Sequence, residues 1–273
     1  MLLNPLRQQI SLRIPRRRKD IMHKLMKLLA SNRRQENPRA VETEGEDSTL
    51  YIYDAIVSDD YWGGISAQTL VPQIRAIKGG TLHLRINSPG GDVFAAQAIV
   101  VAIRDTGAKV IAHIDGYAAS AATVIANAAD DIEISDGAMY MIHCAWTMAY
   151  GNANDIRETA ALLDKIDSVI AGQYAKRSGQ SAEAMKALMD AETWFTAQEA
   201  VDAGLVNRIA EDAPAASAQW DLSAYARAPA PKAARVQNPA LAPAPAKDPD
   251  TISNEHRERQ QQRLHMLNRL TLQ

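Results

Sequence analysis

What this sequence lacks narrows its class before any motif is read. A single cysteine, Cys144, cannot form an internal disulfide, so no disulfide framework supports the fold and nothing marks an oxidising compartment. Aromatic residues make up 5% of the chain, with two phenylalanines, so a core must be built mainly from aliphatic side chains and alanine. No window reaches the roughly 18 uninterrupted apolar residues of a membrane-spanning helix, because Lys24, Lys27, His113 and Asp115 interrupt the best candidates. The same two lysines break the apolar part of the basic N-terminus, and no small-residue cleavage site follows, so a secretory signal is not expected. A formal net charge of -2 gives no bulk attraction to polyanions. No Gly-x-x-x-x-Gly-Lys-Ser/Thr loop occurs, which excludes a phosphate-loop ATP motor within the chain. No motif asks for a cofactor or a metal, and the expected location is the cytoplasm.

What remains is a chain of 273 residues with unevenly spread charge. Residues 1–48 read as a basic arm, from Arg7 through Arg34, joined to an acidic linker at Glu42, Glu44, Glu46 and Asp47. Residues 49–211 alternate strand and helix patterns, the grammar of an α/β domain. Leu82, Leu84 and Ile86 alternate on one strand face, and His83 and Arg85 occupy the other. A long helix is predicted from Ala153 to Arg177. Residues 212–250 read as an Ala/Pro-rich linker that cannot supply a core, and residues 251–273 as a charged terminal helix. Both tails are expected to be flexible and open to self-cleavage. The basic arm could bind nucleic acid or an acidic protein surface, or remain a solvated tail.

Two junctions can carry chemistry. Gly116-Tyr117-Ala118-Ala119-Ser120-Ala121-Ala122 places a serine where a strand ends and a helix of small residues begins. Free N–H groups there favour an oxyanion, although a serine at that position can also simply cap the helix. Asn87-Ser88-Pro89-Gly90-Gly91-Asp92 is a second strand-to-helix turn, whose glycines let the main chain approach a ligand, or serve only the turn. Converging at the carboxyl edge of one sheet, the two turns suggest an oxyanion hole from the Gly91 and Ala121 amides. A serine needs a base. His23, His256 and His265 lie in the tails, His83 faces away from the leucines, and His113 is expected to pack within the sheet. His143, at the end of Tyr140-Met141-Ile142-His143, is the choice. Cys144 points to the opposite strand face and reads as a packed small residue.

The order strand, NSPGG turn, helix, GxAASxA, strand ending in MIH, long helix and ETWFTAQEAVDAGLV resembles the Clp protease family over residues 50–210. The resemblance implies a crotonase-like stack of β-β-α units and a homo-oligomer, with rings as the family's arrangement. It implies Ser120 as nucleophile, His143 as base, and the Gly90-Gly91 turn with Ala121 as the oxyanion hole. A substrate is expected to add as a strand along Gly90 to Val93. The family's acid, an aspartate, is matched by Glu192, with Asp190 as a rival. Glutamate can fix the imidazole tautomer as aspartate does. The ETW stretch and the extra tails are most similar to the phage head-maturation branch, which implies scaffold and coat proteins as substrates, without ATP and inside the host cell. The alternatives are a subunit that works with a separate ATP-dependent unfoldase, a hydratase or isomerase on the same fold, and a non-catalytic assembly factor.

Overall fold

Alternation with a period of two builds the sheet, and the computed structural model describes residues 41–59, 63–211 and 220–229 of it and its surroundings. The basic arm, the Ala/Pro run from 230 and the terminal helix lie outside the described residues. Strand β1 (Val41–Glu44) pairs antiparallel with β2 (Asp47–Ile52), which runs parallel to β5 (Thr81–Ser88) after the short pair β3 (Ile56–Val57) and β4 (Ile65–Ser66). Helix α1 (Ala67–Ala76) precedes β5, and α2 (Val93–Asp105) joins it to β6 (Lys109–Ala119). Next come α3 (Ala121–Ala126), β7 (Asp131–Ser135), β8 (Met139–Ile142), α4 (Ala153–Ser178), α5 (Ala182–Asp190), β9 (Thr193–Thr196), α6 (Ala197–Asp202) and β10 (Arg208–Ala210).

The main sheet runs β1-β2-β5-β6-β7-β10, and it forks at β6. The first half of β6, Ile111 to Ile114, pairs with β7, and the last three residues, Tyr117 to Ala119, pair with β8. The fork carries the end of β6 away from β7 and sets Ser120 beside the end of β8. Leu50, Ile52, Leu82, Leu84, Ile86, Ala112 and Ile114 are fully buried on one face beneath α2, as the leucine alternation predicts. Each leucine or isoleucine among them contributes about 1.5–3 kcal/mol when taken out of water. The opposite face carries a paired polar ladder built on His83, Arg85, His113, Asp115 and Glu133.

Three local readings change. Glu42 and Glu44 belong to strand β1 of a hairpin rather than to a linker, because Val41 packs on the core and Gly45, at φ 63°, makes the turn. Strand β6 continues to Ala119, so the small-residue helix begins at Ala121 and not at Ala119. Residues 220–229 are not spacer: Trp220, Leu222 and Tyr225 are buried in a second apolar cluster with Ala119 and Met141. The predicted long helix is present as α4, with an Asn152–Asp155 capping box at its start and Gly179 at its end.

Candidate active site

Ser120 occupies the step from β6 to α3 in a backbone conformation that non-glycine residues seldom adopt, φ 55° and ψ -123°. Such a residue costs about 1–3 kcal/mol and persists only where its surroundings hold it. Here its N–H donates to the Met141 carbonyl at 2.9 Å, and its carbonyl accepts from the Thr123 N–H at 2.9 Å and the Thr123 hydroxyl at 2.5 Å. Thr123 is in turn bonded to the buried Tyr174 hydroxyl of α4. The serine side chain makes no cap hydrogen bond, so helix capping does not explain its presence. Instead its Oγ lies 2.7 Å from His143 Nε2.

His143 follows β8, and burial pushes its pKa down to about 4 against the opposing pull of the Glu192 and Asp167 charges. A neutral imidazole is therefore the form present at pH 7, and it can accept a proton. Asp167 was not visible in the sequence as a site residue. It is buried on α4 and its Oδ1 accepts the Ala145 N–H at 2.7 Å, which fixes the chain just beyond His143. A carboxylate in the middle of a long amphipathic helix carries no motif that would have identified it.

The structure separates the two acids proposed from sequence. Asp190 is taken up by Lys186 Nζ at 2.6 Å and by the Cys144 thiol at 3.1 Å. Burial and the bond to Asp190 push that thiol up to about 12, so Cys144 is held protonated and is no rival nucleophile. Glu192 has the second positive φ among the described non-glycine residues, 48°. Its carboxylate faces the site, but it accepts the Arg227 N–H at 2.6 Å, the Ala226 N–H at 3.0 Å and the Trp194 indole N–H at 3.3 Å. Among the described residues no carboxylate is hydrogen-bonded to His143.

The glycine turn reaches the serine. Gly90 (φ 87°) packs so closely that a Cβ there would overlap the Ala119 carbonyl and come within 2.9 Å of Ser120 Cβ and 3.1 Å of the Ala121 nitrogen. Gly91 (φ 150°) abuts Ile56 in the same way. Ile56 donates to the Gly90 carbonyl and accepts from the Asp92 N–H, so the Gly91 N–H is not used by that bridge. The Gly90 N–H donates to Ser88 Oγ, which leaves Gly91 and Ala121 as the amides available to an oxyanion. Val93 is not part of an edge strand: Asp92 caps α2 by accepting from the Phe94 and Ala95 amides, so Val93 is already helical.

Residues 47–213 match the model of the Clp protease family. The chain belongs to the Clp protease family. It is 32% identical over 157 residues to an ATP-dependent Clp protease proteolytic subunit of Bacteroides fragilis, covering 55% of this chain and 74% of that one. It is 31% identical over 159 residues to proteolytic subunit 2 of Pseudomonas aeruginosa, covering 54% and 77%. A solved structure of a ClpP1 mutant from Listeria monocytogenes superposes with a TM-score of 0.52 at 28% identity, covering 60% of this chain and 91% of that one. The α/β architecture is thus that of the Clp protease fold, and this member of the family is a serine-type endopeptidase. Among the described residues no helix is long and apolar enough to cross a membrane.

Proposed function

We propose that this Clp protease family member cleaves peptide bonds by acyl transfer at Ser120, and the 2.7 Å contact between a strained Ser120 and a neutral His143 carries that reading. His143 Nε2 takes the Ser120 proton as Oγ bonds to the scissile carbonyl carbon. The Gly91 and Ala121 amides receive the oxyanion, and each such donor is worth about a hundredfold in rate. The imidazolium then gives its proton to the amine nitrogen as the C–N bond breaks. Water, deprotonated by His143, attacks the ester, and Ser120 recovers its proton. Glu192 and Asp167 supply the negative charge that stabilises the imidazolium, Glu192 as the triad acid and Asp167 through the loop after His143. Substrate main-chain pairing at the glycine turn is confined to Gly91, because the Gly90 and Asp92 main-chain groups are already bonded to Ser88, Ile56 and Ala96.

The substrates in this reading are scaffold and coat proteins cut during phage capsid maturation, without ATP. Support comes from the basic and Ala/Pro-rich extensions on both sides of the family match. A second reading, a proteolytic subunit served by a separate ATP-driven unfoldase, is favoured by the names of the relatives. Limited cutting of a scaffold or coat protein without nucleotide supports the first. Degradation of a folded substrate only with an unfoldase and ATP supports the second. In both, the protein is a homo-oligomer: α4 turns Ile166 and Ile170 to its own core but leaves Ile156, Leu162 and Val169 exposed, with Phe94 and Val101 on α2. Light scattering that finds a monomer at micromolar concentration contradicts this. The nucleic-acid reading of the basic arm lies outside the described residues.

A further inference from the structure

The segment 220–229 touches each component of the site at once. The Tyr225 hydroxyl donates to the Pro89 carbonyl, next to the oxyanion glycines. Its ring stands edge-on to His143 at 5.3 Å and to Trp194 at 5.8 Å. Trp220 donates its indole N–H to Asn87 Oδ1 at 2.9 Å, at the start of the glycine turn. Glu192, the residue matched to the family's acid, spends its carboxylate on the Ala226 and Arg227 amides of the same segment. Tyr225 is 8% exposed and Trp220 7% exposed, so this is a fitted contact and not a loose tail.

We propose that residues 220–228 are a built-in occupant of the substrate cleft, with Tyr225 filling a pocket for an aromatic side chain and holding the peptidase off until the segment is displaced. The proposal rests on the peptidase reading of Ser120 and deepens it. Three features argue for occupancy over a permanent part of the machinery. The occupant holds the triad carboxylate through main-chain amides, so Glu192 is engaged away from His143. The Tyr225 ring stands against the imidazole and its hydroxyl is held at the Pro89 carbonyl beside the glycine turn, where a substrate has to enter. The segment lies after residue 213, beyond the part of the chain that matches the family model, so the pocket is made by the catalytic domain and filled by an extension. The walls are chemically suited to an aromatic residue of an extended peptide: a ring edge from Trp194, the His143 imidazole, and the Pro89 carbonyl as acceptor for a phenol.

The test uses the full-length chain. Fluorophosphonate labelling of Ser120 and hydrolysis of a short fluorogenic peptide are measured for wild type, Tyr225→Ala and Arg227→Pro. The proline removes an amide that bonds Glu192 without opening the apolar cluster. A segment that is closed at least about 90% of the time reduces both rates tenfold, so both variants are expected to gain about tenfold or more. A peptide spanning residues 220–228 is expected to inhibit the variants. Equal or lower rates in both variants, with Ser120 still labelled, overturn the occupant and leave the peptidase intact. Hydrogen exchange on full-length Ser120→Ala protein gives an answer that needs no catalysis. Slow exchange at Ala226 and Arg227, made fast by Tyr225→Ala, supports the contact, and fast exchange in both overturns it. Failure to label Ser120 in a variant whose Ala226 and Arg227 amides exchange fast, so that the segment is open, would instead reject the peptidase reading.

Discussion

Strand β6 runs from one histidine-centred cluster to another, and the two make opposite use of the same kind of side chain. In its first half, His113 lies between His83 at 2.9 Å and Glu133 at 2.5 Å, and Glu133 is tied further to Arg208 at 2.6 Å. Two residues on, Asp115 takes the Tyr53 hydroxyl at 2.5 Å and the Arg85 guanidinium through two contacts. These polar groups have partners, and the backbone beneath them is regular strand. Beyond the end of β6 the reverse holds. Ser120 is strained, His143 meets a hydroxyl rather than a carboxylate, and Glu192 is held in a second strained conformation by main-chain amides. A fully paired ladder holds the sheet together and has no capacity left for reaction. An incompletely paired site keeps that capacity and depends on the ladder side of the sheet for rigidity.

The sharpest way to break the contrast is to remove the reactive pair. Ser120→Ala and His143→Ala are each expected to lower peptide turnover by about 10⁴-fold or more, and the double variant by no more than either alone, since the residues act as one unit. Thermal unfolding should be nearly unchanged, because the oxygen deleted in Ser120→Ala caps no helix. Next in size is the acid. Glu192→Gln is expected to lower turnover by about 10²–10⁴-fold, while Asp190→Asn, which touches Lys186 and Cys144, should change it less than about threefold. The reverse ranking, read from kcat in steady-state kinetics, would move the role to Asp190.

The ladder should fail differently. Asp115→Ala leaves Arg85 and Tyr53 without their partner and is expected to cost about 2 kcal/mol in denaturant unfolding. That is below the figure for a fully buried pair, because Arg85 keeps part of its side chain in water. Ser120 in the folded fraction should react at its usual rate. The smallest effect concerns pH. Burial holds the His143 pKa at about 4, below its unfolded value, so the imidazole is neutral in the fold over a wider range. Its contribution to stability is present above about pH 6.5 and is lost as pH falls from there towards 4, because the unfolded chain binds the proton first. The acid limb of kcat/KM should accordingly fall below pH 6.5. Tyr225→Ala, which admits water to the ring, should move that limb up towards 6.5. An unmoved limb would show that Tyr225 does not desolvate His143.

Much of this arrangement was legible in the sequence because short-range pattern encodes it. The leucine alternation of β5 fixed its faces, the paired glycines marked a turn that only positive φ permits, and the strand-to-helix step singled out Ser120 as the candidate nucleophile. What was not legible depends on contacts between distant segments. The β1–β2 hairpin was hidden by its acids, which read as a linker until Val41 found the core. Asp167 looked like any helix carboxylate. The closure by Tyr225 was concealed in a stretch of small residues, yet Trp220 and Tyr225 stood out in a chain otherwise poor in aromatics, and that pair was the available signal.

The central claim is that Ser120, activated by His143, forms the acyl intermediate. It is tested most directly by trapping that intermediate: wild-type, Ser120→Ala and His143→Ala proteins are treated alike with a labelled fluorophosphonate, digested, and mapped by mass spectrometry. The account predicts one adduct, on the peptide that contains Ser120, absent in Ser120→Ala and formed far more slowly in His143→Ala. An adduct on another residue, or peptide hydrolysis undiminished in Ser120→Ala, would contradict it.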